Sequence, residues 1–395
     1  MGRLQPGKCV SPSHKIVHSN SIEGSSSPVT VTAPSLPGPV VLVRISEACS
    51  ADLLKLQMIF GISSPTPTTT DNHHHHIHHH HRWNTSVIVT ATSPSPAGPY
   101  TWDRKSITIK PRRDGGPGRF DTVAVQNPVV VRLKRGVGFV LYYAGSNLTT
   151  PHYGMNNSAI MAAFSRSLDG PWEVLDRPVL APFTAAESWE AGAVCNPAAF
   201  VHDDNSVTMA YRGYWDNNGV AFAWAPSWRG PFSRLYGGSG LFAERPTLED
   251  PFLFATPRGL HVLMHYFKGD NCTAPRRCPL VGNHAFADKV PRLLPGNAGG
   301  ANGADVEFYL TPNRGARAGG YGLGPVAFVN GSTATFSHRE EPKMLLEWSD
   351  KAKDYVPTHL FNVVVEQQTA PKDGWAHLES YIFAQPLAGD MQPPS

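Results

Sequence analysis

Glu249 and Asp250 stand side by side at the opening of an otherwise apolar run, Leu248 to Phe254, and Pro251 follows them at once. Two carboxyl groups brought to one cavity can divide acid and base work. Hydrolysis of a glycosidic bond needs one of them to protonate the leaving oxygen and the other to activate water or attack the sugar carbon. Neighbours on a strand point to opposite faces, so only one of this pair is expected at a cavity centre, with its partner coming from elsewhere in the chain. Glu190, six residues before Asn196, and Glu307 are the candidates. Tyr143, Arg212, Trp215 and His265 add the aromatic faces and charge-assisted donors that bind neutral polyols. His359, in Thr358-His359-Leu360-Phe361-Asn362, is placed to bind water or a cation such as calcium. No cofactor is required by this chemistry, and no metal-ligand set is assigned.

The elements that carry these residues repeat. Asn127-Pro128 precedes Val129 to Val131, a turn at Gly136 and the run Phe139 to Tyr143. Asn196-Pro197 precedes Ala198 to Val201, a turn at Asp203 to Asn205 and the run Val207 to Tyr211. Asp250-Pro251 precedes Phe252 to Phe254, a turn at Pro257 to Gly259 and the run Leu260 to Tyr266. The prolines lie 69 and 54 residues apart, intervals that suit four-stranded blades with loop insertions. A second signal, Gly-Pro-aromatic, closes the outer part of each unit at Gly98-Pro99-Tyr100, Gly170-Pro171-Trp172 and Gly230-Pro231-Phe232. A last unit is drawn from Val306 through Tyr321 and Phe328 to Leu345 and Thr358 to Val365. The expected fold is therefore all-β, a five-bladed β-propeller of four-stranded antiparallel blades. In a propeller the inner strands converge on a central channel, which makes Asn127, Asn196 and Asp250 a ring around one cavity. A proline after each is acceptable because it falls at the start of a strand.

Composition agrees with many short strands and turns: 36 Gly and 36 Pro stand beside only 16% charged residues, and 41% hydrophobic residues suffice for a sizeable core. The net charge of +3 is scattered, so no basic face recommends nucleic acid or an anionic membrane, and a neutral carbohydrate is the expected partner. No run of about 18 apolar residues suggests a membrane span, and the first thirty residues hold no apolar stretch of signal-peptide length. Sequons at Asn84, Asn147, Asn156, Asn271 and Asn330 fit glycosylated loops of a secretory protein. The cysteines, Cys9, Cys49, Cys195, Cys272 and Cys278, contain no Cys-x-x-Cys pair, and Cys272 and Cys278 are spaced for a local disulfide. Residues 1–82 form a poorly patterned amino-terminal segment with degenerate first-blade strands. Val40 to Ile45 is its one β-rich run, Ala51 to Phe60 reads as a helical turn or two, and His73 to His81 is a low-complexity histidine tract. Residues 83–370 carry the propeller and 371–395 a closing segment and tail, all within one domain. Trp102-Asp103 and Trp215-Asp216 lie 113 residues apart without a Gly-His element, which excludes a WD40 repeat.

The succession Asn-Pro, Asn-Pro, Glu-Asp-Pro, the Gly-Pro-aromatic turns, Arg177 to Leu180 and the segment Arg339 to Asn362 resemble the five-bladed propellers of glycoside hydrolase family 43. The resemblance covers about residues 85 to 365. It implies an inverting glycosidase acting on plant-type arabinans or xylans, with an Asp base on the first blade, an orienting Asp on the second and a Glu acid on the third. Carried over by motif, the acid falls on Glu249, with Asp250 as the other contender. Residues 1–82 hold only Asp52 and Asp71 and no Asp-Pro for the base, and the copies at 127 and 196 carry Asn. A glycan-binding propeller without catalysis is the alternative implied.

Overall fold

The computed structural model describes residues 40–43, 56–63, 86–93, 95–96, 100–114, 116, 118–147, 157–183, 190, 192–213, 219–236, 248–266, 281–291, 306–310, 325–327, 331–349, 354–366 and 380–387. Within them every regular element is a strand apart from one short 3-10 turn at Lys134–Gly136. The first sheet holds β1 (Val40–Val43), β2 (Leu56–Ser63), β3 (Ser86–Ser93) and β4 (Thr101–Ile109). The second holds β5 (Ala124–Arg132), β6 (Phe139–Ser146), β7 (Ser158–Ser165) and β8 (Glu173–Val174). The third holds β9 (Cys195–Val201), β10 (Val207–Arg212), β11 (Val220–Ala225) and β12 (Ser233–Arg234). The fourth holds β13 (Leu248–Thr256), β14 (Gly259–Tyr266), β15 (Val281–Ala287) and β16 (Tyr309–Leu310). A two-stranded ribbon, β17 (Val326–Ala327) and β18 (Thr333–Ala334), precedes the last sheet, β19 (Phe336–Ser349), β20 (Asp354–Glu366) and β21 (Ser380–Pro386). All pairings within these sheets are antiparallel between consecutive strands, and no helix of the described residues is long and apolar enough to cross a membrane.

Three expectations need correction. Leu56 to Phe60 is extended, because β2 is paired on both sides, with β1 and with β3, and this pairing supplies the backbone bonds a helical turn would otherwise make. Val306 to Leu310 belongs to the fourth sheet, whose outer strand β16 pairs with β15. The last sheet instead starts at β19 and, among the described residues, has three strands, the third of them β21.

The apolar cores lie between successive sheets. Ile88 and Ile109 pack with Val125, Leu141, Tyr143 and Met161 across the first and second. Tyr142 and Ile160 meet Val207, Met209 and Tyr211 across the second and third. Phe222 meets Leu248, Val262 and Met264 across the third and fourth, and Phe252 and Leu263 meet Met344 and Leu360 across the fourth and last. A sheet packed on both faces has strands buried along their whole length, as β6 and β10 are. That is why the sequence shows continuous apolar runs there without polar alternation. The first strands touch in turn, β1 with β5, β5 with β9, β9 with β13, β13 with β19 and β19 with β1, so they surround a common centre.

Each of four first strands is interrupted at the same place. Asn127, Asn196, Asp250 and Glu341 all have positive φ, 49°, 47°, 50° and 50°, and each is followed by proline. In every copy two residues of the first strand face one residue of the second: 127 and 128 face Tyr143, 196 and 197 face Tyr211, 250 and 251 face Met264, and 341 and 342 face Asn362. This is a β-bulge, and proline suits it because the bulged residue makes no ladder bond through its nitrogen. Asn and Asp tolerate the left-handed conformation better than most residues. Asn127→Ala is therefore expected to cost about 1–2 kcal/mol in urea unfolding, while Asn127→Gly stays near the parent. Equal stability of the alanine variant would show that the left-handed bulge is not imposed on the chain.

Candidate functional site

The four bulges open on one small cavity, lined by Asn127, Pro128, Asn196, Pro197, Asp250, Pro251, Glu341 and Lys343. The ring expected from the Asn/Asp-Pro repeat is thus assembled, with a fourth member. Glu340 and Glu341 do not figure among the residues expected from sequence, although Glu340-Glu341-Pro342 repeats Glu249-Asp250-Pro251 almost letter for letter. Lys343 takes the position that Val129, Ala198 and Phe252 fill in the other copies, so a buried cation replaces an apolar side chain there. Asn196 is 5% exposed, its Nδ2 donates to Asp250 Oδ1, and its own Oδ1 has no protein partner, which leaves an acceptor for a hydroxyl group at the cavity wall.

The residue before each bulge faces a fixed position on the second strand: Gln126 faces Ala144, Cys195 faces Arg212, Glu249 faces His265 and Glu340 faces Val363. Arg212 and His265 are therefore equivalent, and both are buried behind the cavity wall. Arg212 Nη1 contacts Glu249 Oε2, His265 Nε2 lies 2.9 Å from Glu249 Oε1, and His265 Nδ1 lies 2.9 Å from Asp250 Oδ2. Glu249 and Asp250 thus turn toward the same ring, against the expectation that strand neighbours part to opposite faces. The left-handed bulge at Asp250 breaks the two-residue alternation on which that expectation rested.

Other expected residues lie elsewhere. Tyr143 is one position away from Ala144, the equivalent of Arg212 and His265, and so points to the sheet face. It is fully buried, with its hydroxyl donating to Asp121 at 3.1 Å, and does not reach the cavity. His359 sits four residues from Val363 along β20, opposite Leu345, beside Thr358 at 3.2 Å. Among the described residues it joins no group of His, Cys, Asp or Glu close enough to share an ion. Glu190 is buried but clamped by Arg234, whose Nε lies 2.8 and 2.9 Å from its two oxygens, and by the Tyr211 hydroxyl. Glu307 is exposed beside β16 and accepts a bond from Tyr309 at 3.0 Å. Neither supplies the second carboxylate of this cavity. Trp215, the histidine tract and the Cys272 and Cys278 pair lie outside the described residues.

The charges around the cavity differ sharply in proton affinity. Burial by itself raises the Asp250 pKa, but His265, Lys343 and Arg212 outweigh it and the net direction is downward. Glu340 faces Val363 where Glu249 faces His265, and burial pushes it up to about 7, with His265 opposing and Asp250 adding to the rise. Burial likewise lowers Lys343, against the pull of Glu341 and Asp250, and raises the Cys195 thiol to about 12. Donor atoms of Glu249, Asp250 and His265 lie within 4.8 Å of one another, near enough to consider a divalent ion. The two carboxylates meet opposite nitrogens of one ring, and a guanidinium touches Glu249, so the same groups also bridge one another.

The sequence matches no protein-family model and no curated protein. Solved structures do resemble the fold. A family 117 glycoside hydrolase from the marine bacterium Zobellia galactanivorans aligns over 89% of this chain and 83% of its own, with 16% identity and a TM-score of 0.53. An α-L-arabinofuranosidase from Lactobacillus brevis aligns over 92% and 94%, with 9% identity and a TM-score of 0.51. A family 43 endo-arabinanase from Bacillus licheniformis aligns less well, over 92% and 98%, with 11% identity and a TM-score of 0.49. The chain has the propeller fold of such glycoside hydrolases, and at these identities the likeness is one of fold alone.

Two stability measurements check the electrostatics. Arg212→Met leaves the buried Glu249 without its guanidinium and is expected to cost about 3–5 kcal/mol, much of it recovered in Arg212→Met/Glu249→Leu. Full additivity of the two substitutions would show that they do not interact. A carboxyl group whose pKa rises from 4.5 to about 7 on folding binds more protons folded than unfolded between those values. Stability should therefore fall as pH climbs through that window, and Glu340→Gln should flatten the decline in pH-dependent unfolding.

Proposed function

We propose that this chain hydrolyses O-glycosidic bonds of a neutral oligo- or polysaccharide by an inverting acid/base mechanism, with Glu340 as proton donor and Asp250 as base. The observation that carries it is the opposite proton affinity of two neighbouring carboxyl groups: Asp250, which lines the cavity, is held ionised, while Glu340, one residue before the cavity-lining Glu341 and within the electrostatic reach of Asp250, keeps its proton up to about 7. Pairs of carboxyls pushed apart in this way divide into acid and base. In this assignment Glu249, the acid implied by the family 43 resemblance, serves instead to hold Arg212 and His265, which flank its two oxygens. The chain is taken as five-bladed, with β1, β5, β9, β13 and β19 as inner strands around the site. Asn127, Asn196 and Lys343 offer amide and ammonium groups to sugar hydroxyls, and the mixture of Lys343 with Asp250 and Glu341 suits an uncharged substrate.

Inversion leaves the attacking water between the two carboxyl groups, at a separation of about 6.5–9.5 Å. The water gives its proton to Asp250 as its oxygen bonds to the sugar carbon, and Glu340 gives its proton to the departing oxygen. Turnover should rise as Asp250 ionises and fall as Glu340 loses its proton above about 7. Glu340→Gln and Asp250→Asn are each expected to lower turnover of a cleaved saccharide by about 10²–10⁴-fold, with Glu340→Gln abolishing the alkaline limb. Unchanged turnover in either variant would sink its assigned role.

Binding without cleavage is favoured by one specific feature: two of the four bulge positions, 127 and 196, carry Asn where Asp250 and Glu341 carry carboxyls. In that case the unaltered chain retains oligosaccharides and releases no reducing sugar, and Asp250→Asn binds as the parent does.

A further inference from the structure

We propose that His265 is a positioning residue of this site, an imidazolium that ties the Glu249 and Asp250 carboxylates together behind the cavity wall. It extends the hydrolytic function above and rests on it only for its kinetic consequence. His265 is 0% exposed and is not among the cavity-lining residues, so it acts through the groups it meets. Its two nitrogens each lie 2.9 Å from a different carboxylate oxygen. A neutral imidazole has one N–H and one lone pair, and a lone pair held that close to a carboxylate oxygen is repelled. The three groups therefore hold one proton more than a neutral histidine with two carboxylates, and a proton on the ring makes both contacts attractive.

The surrounding charges fit this count. Arg212 faces the far oxygen of Glu249, so that carboxylate has a cation on each side. Around Asp250 stand Lys343, the Asn196 amide and the Cys195 thiol, which burial keeps protonated. Glu340 acts on the ring from the last sheet, and Glu341 balances Lys343. Asp250 is consequently fixed through Oδ2 to His265 and through Oδ1 to Asn196, which sets the direction its carboxylate presents to the cavity.

The test uses the full chain labelled with 15N in histidine, with the His265 resonances assigned by comparison with His265→Gln. Both ring nitrogens should carry hydrogen at about pH 8, where a neutral imidazole carries hydrogen on one. A bare nitrogen at that pH, or loss of the ring protons on addition of Zn²⁺, overturns the proposal. If His265→Gln does not fold, the persistence of one doubly protonated ring at that pH in the unaltered chain decides the matter, and its absence overturns it. In kinetics, His265→Gln should lower kcat by about 10²-fold through misplacement of Asp250, with KM little changed and the acid limb moved to higher pH. A loss confined to KM overturns the positioning role. If the unaltered chain cleaves no saccharide, the hydrolytic function fails, while the state of the ring still decides the present proposal.

Discussion

The left-handed residue followed by proline, placed at one level of four inner strands, is the constraint from which the site follows. Each such bulge sets two residues against one on the neighbouring strand and so interrupts the alternation of side chains. The bulged residue then lines the common cavity, and at the bulge of Asp250 the preceding Glu249 turns to the same imidazole. Without the bulge at 250, Glu249 and Asp250 would lie on opposite faces, and His265 would meet only one of them.

The same repeat explains why chemically identical residues end in different electrostatic states. Glu249 and Glu340 occupy equivalent positions, yet the second strand presents His265 to one and Val363 to the other. The first is clasped between a guanidinium and an imidazole, and the second is left to burial, which favours its neutral form. Each glutamate opens the same short motif, Glu-Asp-Pro or Glu-Glu-Pro, so the distinction is made by the partner strand and, for Glu249, by Arg212 of the neighbouring sheet. Lys343 adds a third variation, a cation at a level where other copies pack apolar side chains.

The sheets that carry the bulges are stabilised by their neighbours more than by their own edges. Cores formed between successive sheets bury β6 and β10 throughout, and polar groups drawn into these interfaces are matched locally, as with Asp121 against Arg112 at 2.7 Å and Glu190 against Arg234. Such pairs look functional in a sequence, being charged residues near strand ends, but they serve the packing between sheets. The cavity is thereby left with its own small set of charges, separate from those that fasten one sheet to the next.

Much of the fold was legible in the chain itself. Continuous apolar runs between Gly, Pro and Asn turns specify strands because local backbone preference and two-sided burial act on neighbouring residues, and the Asn/Asp-Pro repeat locates the first strand of the second, third and fourth sheets. It also marks Asn127, Asn196 and Asp250 as members of one ring. Tertiary structure alone decided which side chains meet there. The cross-strand register pairs Glu249 with His265 and Glu340 with Val363, moves Tyr143 onto the face of its sheet and sets His359 four residues from the equivalent position. Register depends on bulges and on pairing between distant segments, so a single residue of offset, invisible in composition or spacing, reverses where a side chain points.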